Sequence, residues 1–151
     1  MEKEITIIEY QEDYAMAVKE YIKSIAKKEF EYDDWEKYFN KMKSDEYKTD
    51  GNGFWIAFNK KDEIVGTIAA ERRTTDIVYL CNLYIRKDYR RTGIATELYN
   101  TFLDFAHKQK YTIITLKTVF KFTDAVQFYE KLGFVKYGQD EESYFYRKDL
   151  D

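Results

Sequence analysis

The chain has 151 residues, the length of one ordinary domain, and a domain of that size buries roughly 70% of the surface its unfolded form exposes. Its 44% apolar and 35% charged residues exclude the disordered class, and a net charge of −3 leaves no electrostatic footprint for a nucleic-acid partner. A single cysteine, Cys81, and a single histidine, His107, exclude an internal disulfide, a cysteine metal cluster and a histidine-rich metal site.

The start of the chain, Met1-Glu2-Lys3-Glu4, carries no apolar leader run, and no apolar stretch nears the ~18 residues that span a bilayer. No linker, repeat or low-complexity tract interrupts the sequence, so residues 1–151 read as one cytoplasmic domain with no membrane partner. Ile5 to Ile8 forms a first strand. Tyr14, Ala17, Val18, Tyr21, Ile22 and Ile25 recur at helical spacing, as do Trp35, Tyr38, Phe39 and Met42 after the acidic stretch Glu29 to Asp34. The polar segment Ser44 to Asn52 is a loop. Phe54 to Phe58 and Ile64 to Ala70 make a hairpin across Asn59 to Glu63, and Thr74-Thr75-Asp76 turns the chain into a long strand, Ile77 to Ile85.

Ile94, Leu98, Phe102, Phe105 and Ala106 form the inward stripe of the next helix, with Glu97 in its first turn and Lys108 and Lys110 at its end. Thr112 to Leu116 is then a buried strand, parallel to Ile77 to Ile85 because a strand, helix, strand unit crosses over. Thr123 or Asp124 caps a last helix whose Ala125, Phe128, Tyr129 and Leu132 face inward and whose end is marked by Gly133 before Phe134. Phe134 to Tyr137 and Ser143 to Arg147 close the sheet. The order βααβββαβαββ defines an α+β domain with a mixed, mainly antiparallel sheet flanked by helices.

The long strand meets its helix through Arg90-Arg91-Thr92-Gly93-Ile94-Ala95. A strand that turns through two arginines and a glycine into a helix gathers free backbone N–H groups and positive charge at one point, which is an anion site. Gly93 gives the main chain of Arg91 through Thr96 clearance to approach a pyrophosphate. The three glycines of a dinucleotide fold and the Gly-Lys-Ser/Thr of a P-loop are both missing.

On these residues the sequence resembles the GNAT superfamily of acyl-CoA-dependent N-acetyltransferases. Arg90, Gly93 and Ala95 meet its cofactor motif (Arg or Gln, two residues, Gly, one residue, Gly or Ala), after Leu83-Tyr84-Ile85. The run Ala125-Val126-Gln127-Phe128-Tyr129 through Gly133-Phe134 is similar to the family's late helix and the strand after it. The resemblance covers nearly the whole chain in element order. It implies acetyl-CoA as cosubstrate, no metal, and a pyrophosphate held by Arg90, Arg91, Thr92, Gly93, Ile94, Ala95 and Thr96. It also implies a pantetheine arm laid beside Leu83, Tyr84 and Ile85 as an added strand, with main-chain donors near Leu83 facing the thioester oxygen.

Tyr129, a core tyrosine by spacing alone, matches the family's general acid, which gives the departing thiolate a hydrogen bond or proton. Tyr79 stands where many relatives have a glutamate base, and a neutral phenol is a poor base near pH 7. Deprotonation then falls to a water chain or to a carboxylate such as Glu71 or Asp76. Phe122 stands where the family often has an asparagine, a contact that Thr123 or Lys121 would partly replace.

The function implied is transfer of acetyl from acetyl-CoA to a primary amine of a small molecule, by direct attack in a ternary complex. Making an alkyl ammonium neutral at pH 7 costs roughly 4 to 5 kcal/mol, so the site must supply a proton acceptor. Two alternatives stand beside it: a protein or peptide amine as acceptor, and a non-catalytic acyl-CoA-binding regulatory domain. The acidic residues Glu29, Glu31, Asp33, Asp34 and Glu36 would draw a cationic amine or form a solvated helix start, and Trp35, Tyr38 and Tyr47 would shape an aromatic acceptor pocket or pack in the core. Many relatives dimerise, so the resemblance allows a homodimer.

Overall fold

The computed structural model describes residues 4–30 and 50–150. Seven strands form one mixed sheet: β1 (Thr6–Glu9), β2 (Gly53–Phe58), β3 (Ile64–Arg72), β4 (Ile77–Ile85), β5 (Ile113–Val119), β6 (Val135–Gln139) and β7 (Ser143–Asp149). Their spatial order is β1-β2-β3-β4-β5-β7-β6. The described residues include three helices, α1 (Ala15–Phe30), α2 (Ile94–Lys108) and α3 (Thr123–Lys131). The α+β class and the mainly antiparallel mixed sheet agree with the sequence reading. The second helix expected around Trp35, Tyr38, Phe39 and Met42, the acidic residues from Glu31 to Glu36, and Tyr47 lie outside the described residues.

Both faces of the central strands are covered, which is why β2 and β3 read as nearly continuous apolar runs. On one face α2 buries Ile94, Leu98, Phe102 and Ala106 at turn-by-turn spacing, joined by Tyr99 outside the expected stripe. They meet Trp55, Ala57, Val65 and Ile68. On the other face α1 buries Val18, Tyr21, Ile22 and Ile25 against Phe54, Ile56 and Ala69, while Ala17, expected inward, is exposed.

As expected of a crossover through α2, β4 and β5 run parallel. β7 lies between β5 and β6, and its pairing through Val119↔Ser143 draws β5 three residues past the expected end at Leu116. Gly133, at φ +93°, ends α3: its N–H donates to Glu130 O and the Phe134 N–H to Tyr129 O, both at 3.1 Å. That capping claims the Phe134 backbone, so β6 starts one residue later than expected. Neither Thr123 nor Asp124 caps the start of α3. Phe122 occupies that position without a side-chain bond, and Thr123 is already helical.

Candidate active site

β4 and β5 hold together through only three register pairs, Ile77↔Ile113, Val78↔Ile114 and Tyr79↔Thr115. Beyond Tyr79 the two strands part: β4 keeps its pairing with β3, and β5 keeps its pairing with β7. An edge of backbone donors and acceptors on β4 is thus left for a ligand that lies like a strand.

A bulge shapes that edge. Between Ala69↔Cys81 and Thr67↔Tyr84 the β4 chain gains one residue, and Asn82 adopts φ +56°. The buried Thr67 hydroxyl holds it, donating to Asn82 O at 2.7 Å. The Arg86 N–H donates to Val65 O on β3 at 2.9 Å, so strand alternation directs the main-chain groups of Leu83 and Ile85 the other way, into the gap. Tyr84, expected alongside them, turns its main chain to β3, and its carbonyl accepts the Tyr21 hydroxyl at 3.0 Å.

The loop from β4 to α2 is built to present N–H groups. Arg91 (φ +62°) and Gly93 (φ +91°) both take the left-handed conformation, and the first main-chain bond of α2 runs from the Glu97 N–H to Gly93 O at 3.0 Å. The N–H groups of Ile94, Ala95 and Thr96 precede that bond and have no intrahelical acceptor. A Cβ placed on Gly93 would meet no protein atom within 4 Å, so the glycine serves an unusual φ and an open approach. Thr92 donates its hydroxyl to Tyr89 O. Arg90 Nε donates to Ile85 O at 3.0 Å, so this side chain ties the loop to the end of β4. Exposed Arg91 supplies the charge at the helix start.

Tyr129 is buried on α3 between the Phe128 and Phe134 rings, at centroid distances of 5.6 and 5.8 Å. Burial pushes its phenol well above the ordinary value, with further upward contributions from Tyr79, Tyr84 and Cys81. Those three belong to β4, and Tyr129 lies in the apolar cluster on the α2 face, against which Leu83 and Ile85 of β4 also pack. The Tyr129 hydroxyl stays protonated at any physiological pH.

On the opposite, α1 face, Glu71 stands directly across from Tyr79 in the β3–β4 ladder. The Cys81 thiol donates to Glu71 Oε2 at 3.4 Å, and Arg73 lies 3.4 Å from Glu71 Oε1. The Arg73 guanidinium also sits 4.1 Å from the centre of the Tyr79 ring. Burial, then the Glu71 charge and its hydrogen bond, raise the Cys81 thiol well above its usual range. Kept protonated, it is a weak nucleophile. Burial pushes Tyr79 up to about 12, which removes it as a base near neutrality. Asp76, the other carboxylate considered, is exposed in the β3–β4 turn three residues before Tyr79, about 10 Å along the strand from where the gap opens. Phe122 lies half-buried at the start of α3, with Lys121 Nζ 5.9 Å from its ring centre.

A cavity of about 410 Å3 opens on this face where β4 and β5 separate. Arg73, Tyr79, Lys117, Tyr137 and Phe145 are among the residues that line it, with apolar surface added by Ile77 and Leu116. The family resemblance places the acceptor site in the first two helices, their loop and the later strands; the particular residues of this wall are brought together by the β5-β7-β6 strand order, which no local pattern names.

The family model for the acetyltransferase (GNAT) family matches residues 18–134. The chain belongs to that family of N-acetyltransferases, whose members use acetyl-CoA and act on amines. It is 35% identical over 94 residues to N-acetyltransferase 8B of Rattus norvegicus, a match covering 59% of this chain and 42% of that one. The match thus spans about two fifths of that relative's length. A GNAT-family acetyltransferase crystal structure from Staphylococcus aureus Mu50 superposes with a TM-score of 0.85 at 29% identity, covering 98% of this chain and 100% of that one. The PaiA N-acetyltransferase of Thermoplasma acidophilum, solved in complex with coenzyme A, shares the fold, with a TM-score of 0.77 at 18% identity over 97% and 99% of the two chains.

The residues here fit coenzyme A. The left-handed turn at Arg91 and Gly93 opens onto the start of α2, and the parted β4 edge offers the main chain of Leu83 and the N–H of Ile85.

Proposed function

We propose that the protein transfers acetyl from acetyl-CoA to a primary amine of a small molecule, by direct attack within a ternary complex. The observation that carries this reading is the separation of β4 from β5 just past Tyr79 and Thr115, with Tyr129 approaching from one face and Glu71 from the other. When bound, acetyl-CoA supplies an acetyl thioester whose C–S bond breaks as the amine nitrogen bonds to the acetyl carbon.

The chain's own groups then divide the work. The N–H groups from Arg91 to Thr96 and the Arg91 guanidinium hold the pyrophosphate, and Arg90 positions their loop through Ile85 O. The Leu83 N–H faces the thioester oxygen, where negative charge grows during attack. Glu71 takes the amine proton, directly or through one water, because its carboxylate occupies the position across the ladder from Tyr79. Tyr129 holds a proton on its Oη for the departing sulfur. Its raised phenol makes it a hydrogen-bond donor to the thiolate more than a full proton donor. An acyl-cysteine route through Cys81 is disfavoured by the protonated thiol.

The test is thiol release from acetyl-CoA across a panel of amino acids, polyamines, amino sugars and peptides. Turnover on at least one small amine is expected. Turnover confined to peptides would move the acceptor to a protein amine, and binding of acetyl-CoA without turnover on any amine would leave an acyl-CoA-binding domain.

A further inference from the structure

The cavity on the α1 face, read as the acceptor side of the acetyltransferase site above, says more about the acceptor. Its walls combine two cations with aromatic and apolar surface: Arg73 from the β3–β4 turn, Lys117 from β5, and Tyr79, Tyr137, Phe145, Ile77 and Leu116. Among the described residues no carboxylate lines it. Glu71 and Asp140, which pair with Arg73 at 3.4 Å and with Lys117 at 3.3 Å, stand outside the lining. Both pairs are roughly half-exposed, and such pairs are weak enough for a ligand anion to exchange with them.

Arg73 is the better placed of the two cations. Its guanidinium carbon sits over the Tyr79 ring, 4.1 Å from the centroid, at the last residue before the strands part. A guanidinium held over a ring still carries several N–H donors, and their fork geometry matches a carboxylate. Tyr137 and Phe145, whose ring centres are 6.1 Å apart, form an aromatic wall further along the same cavity. About 410 Å3 suits a ligand of amino-acid size or somewhat larger.

We infer that the acceptor is an amine that also bears a carboxylate, bound by Arg73 and Lys117, with an apolar or aromatic body against Tyr137 and Phe145. A carboxylate on Arg73 would also loosen that arginine's hold on Glu71 at the moment the proton acceptor is needed. A simple polyamine would meet two like charges in this cavity.

The test compares matched products, whose affinities carry no contribution from amine ionisation. N-acetylphenylalanine and N-acetylphenethylamine, which differ by the carboxylate, are titrated calorimetrically into the cofactor-free protein. The carboxylate should tighten binding about tenfold, and Arg73→Met should erase most of that difference while leaving N-acetylphenethylamine affinity within about twofold. Lys117→Met should erase a smaller part. Equal affinities in the unaltered protein would overturn the inference, as would a preference that survives both substitutions. Thiol-release assays separate this from the catalytic reading. Carboxylate preference without turnover on any amine would reject transfer and keep the binding inference, and turnover blind to the carboxylate would do the reverse.

Discussion

Glu71 and Tyr79 face each other across the β3–β4 ladder, so the proposed proton acceptor stands one strand spacing from the position where the family resemblance expects a glutamate. Directly paired residues have Cα atoms about 4.5–5.5 Å apart and side chains on one face. Under the proposed mechanism, a carboxylate at either of the two positions would serve the same amine. Glu71→Gln should lower kcat/KM by about 100-fold or more, with acetyl-CoA affinity unchanged. Adding Tyr79→Glu to that variant should recover at least tenfold of the loss. A double variant as inactive as the single one would place the proton acceptor elsewhere.

Tyr129→Phe should reduce kcat by about 10- to 100-fold with little change in acetyl-CoA binding, measured by steady-state kinetics and calorimetry. The pH profile gives a sharper check. The folded-state phenol lies above its ordinary value of 10, so Tyr129 keeps its proton at every pH below about 10. The profile of kcat/KM for the unaltered protein should rise with pH and show no falling limb below about pH 10. A descending limb near pH 8 that disappears in Tyr129→Phe would contradict the raised phenol.

Tyr99 buries its hydroxyl among Phe102, Phe134 and the α2 core with no hydrogen-bond partner among the described residues. A buried donor left unmatched costs about 1–3 kcal/mol. Tyr99→Phe should therefore hold or raise stability, by up to about 1 kcal/mol, or roughly 2–4 °C in melting temperature for a chain of this size. Burial also raises this phenol to about 12 from 10 in the folded state. Its stabilising contribution is complete below pH 10 and is lost as pH climbs toward 12, so the variant should resist alkaline unfolding better in that window. Chemical denaturation at pH 7 and pH 11 would show both effects.

Lys110 ends α2 in the left-handed conformation at φ +65°, where its N–H donates to His107 O and the Tyr111 N–H to Ala106 O, each at 3.0 Å. This is the helix ending that Gly133 makes for α3, built without a glycine. Lys110→Gly should relieve the side-chain strain and add about 0.5–1 kcal/mol, whereas Gln109→Gly, at φ −81°, should lose stability. Melting curves of the two variants decide it. A stability loss at position 110 would mean that the lysine side chain contributes more than the strain costs.

The two helix endings show where the sequence was legible. Gly133 announced its turn by residue type, and Lys110, with the same geometry, did not. Likewise Gly93 and the arginine pair marked the N–H cluster at the start of α2, since that site is local. Non-local features stayed hidden. The Asn82 bulge decides that Leu83 and Ile85 face the gap while Tyr84 faces β3, and it depends on a hydroxyl from Thr67, fifteen residues away. Arg90 reads as a phosphate ligand in sequence, and its Nε also ties the loop to Ile85 O, a link the motif does not announce. The cavity joining Arg73 to Lys117 and Phe145 exists because β7 enters between β5 and β6, which no run of periodic residues reveals.

In the proposed function one end of α2 and the parted edge of β4 together receive coenzyme A. Titrating the cofactor into 15N-labelled protein tests it amide by amide. At saturation the largest shift changes should fall on the N–H groups of Arg91 through Thr96 and of Leu83 and Ile85, with Tyr84 less affected. Saturable binding that leaves all of those amides unmoved would contradict the account.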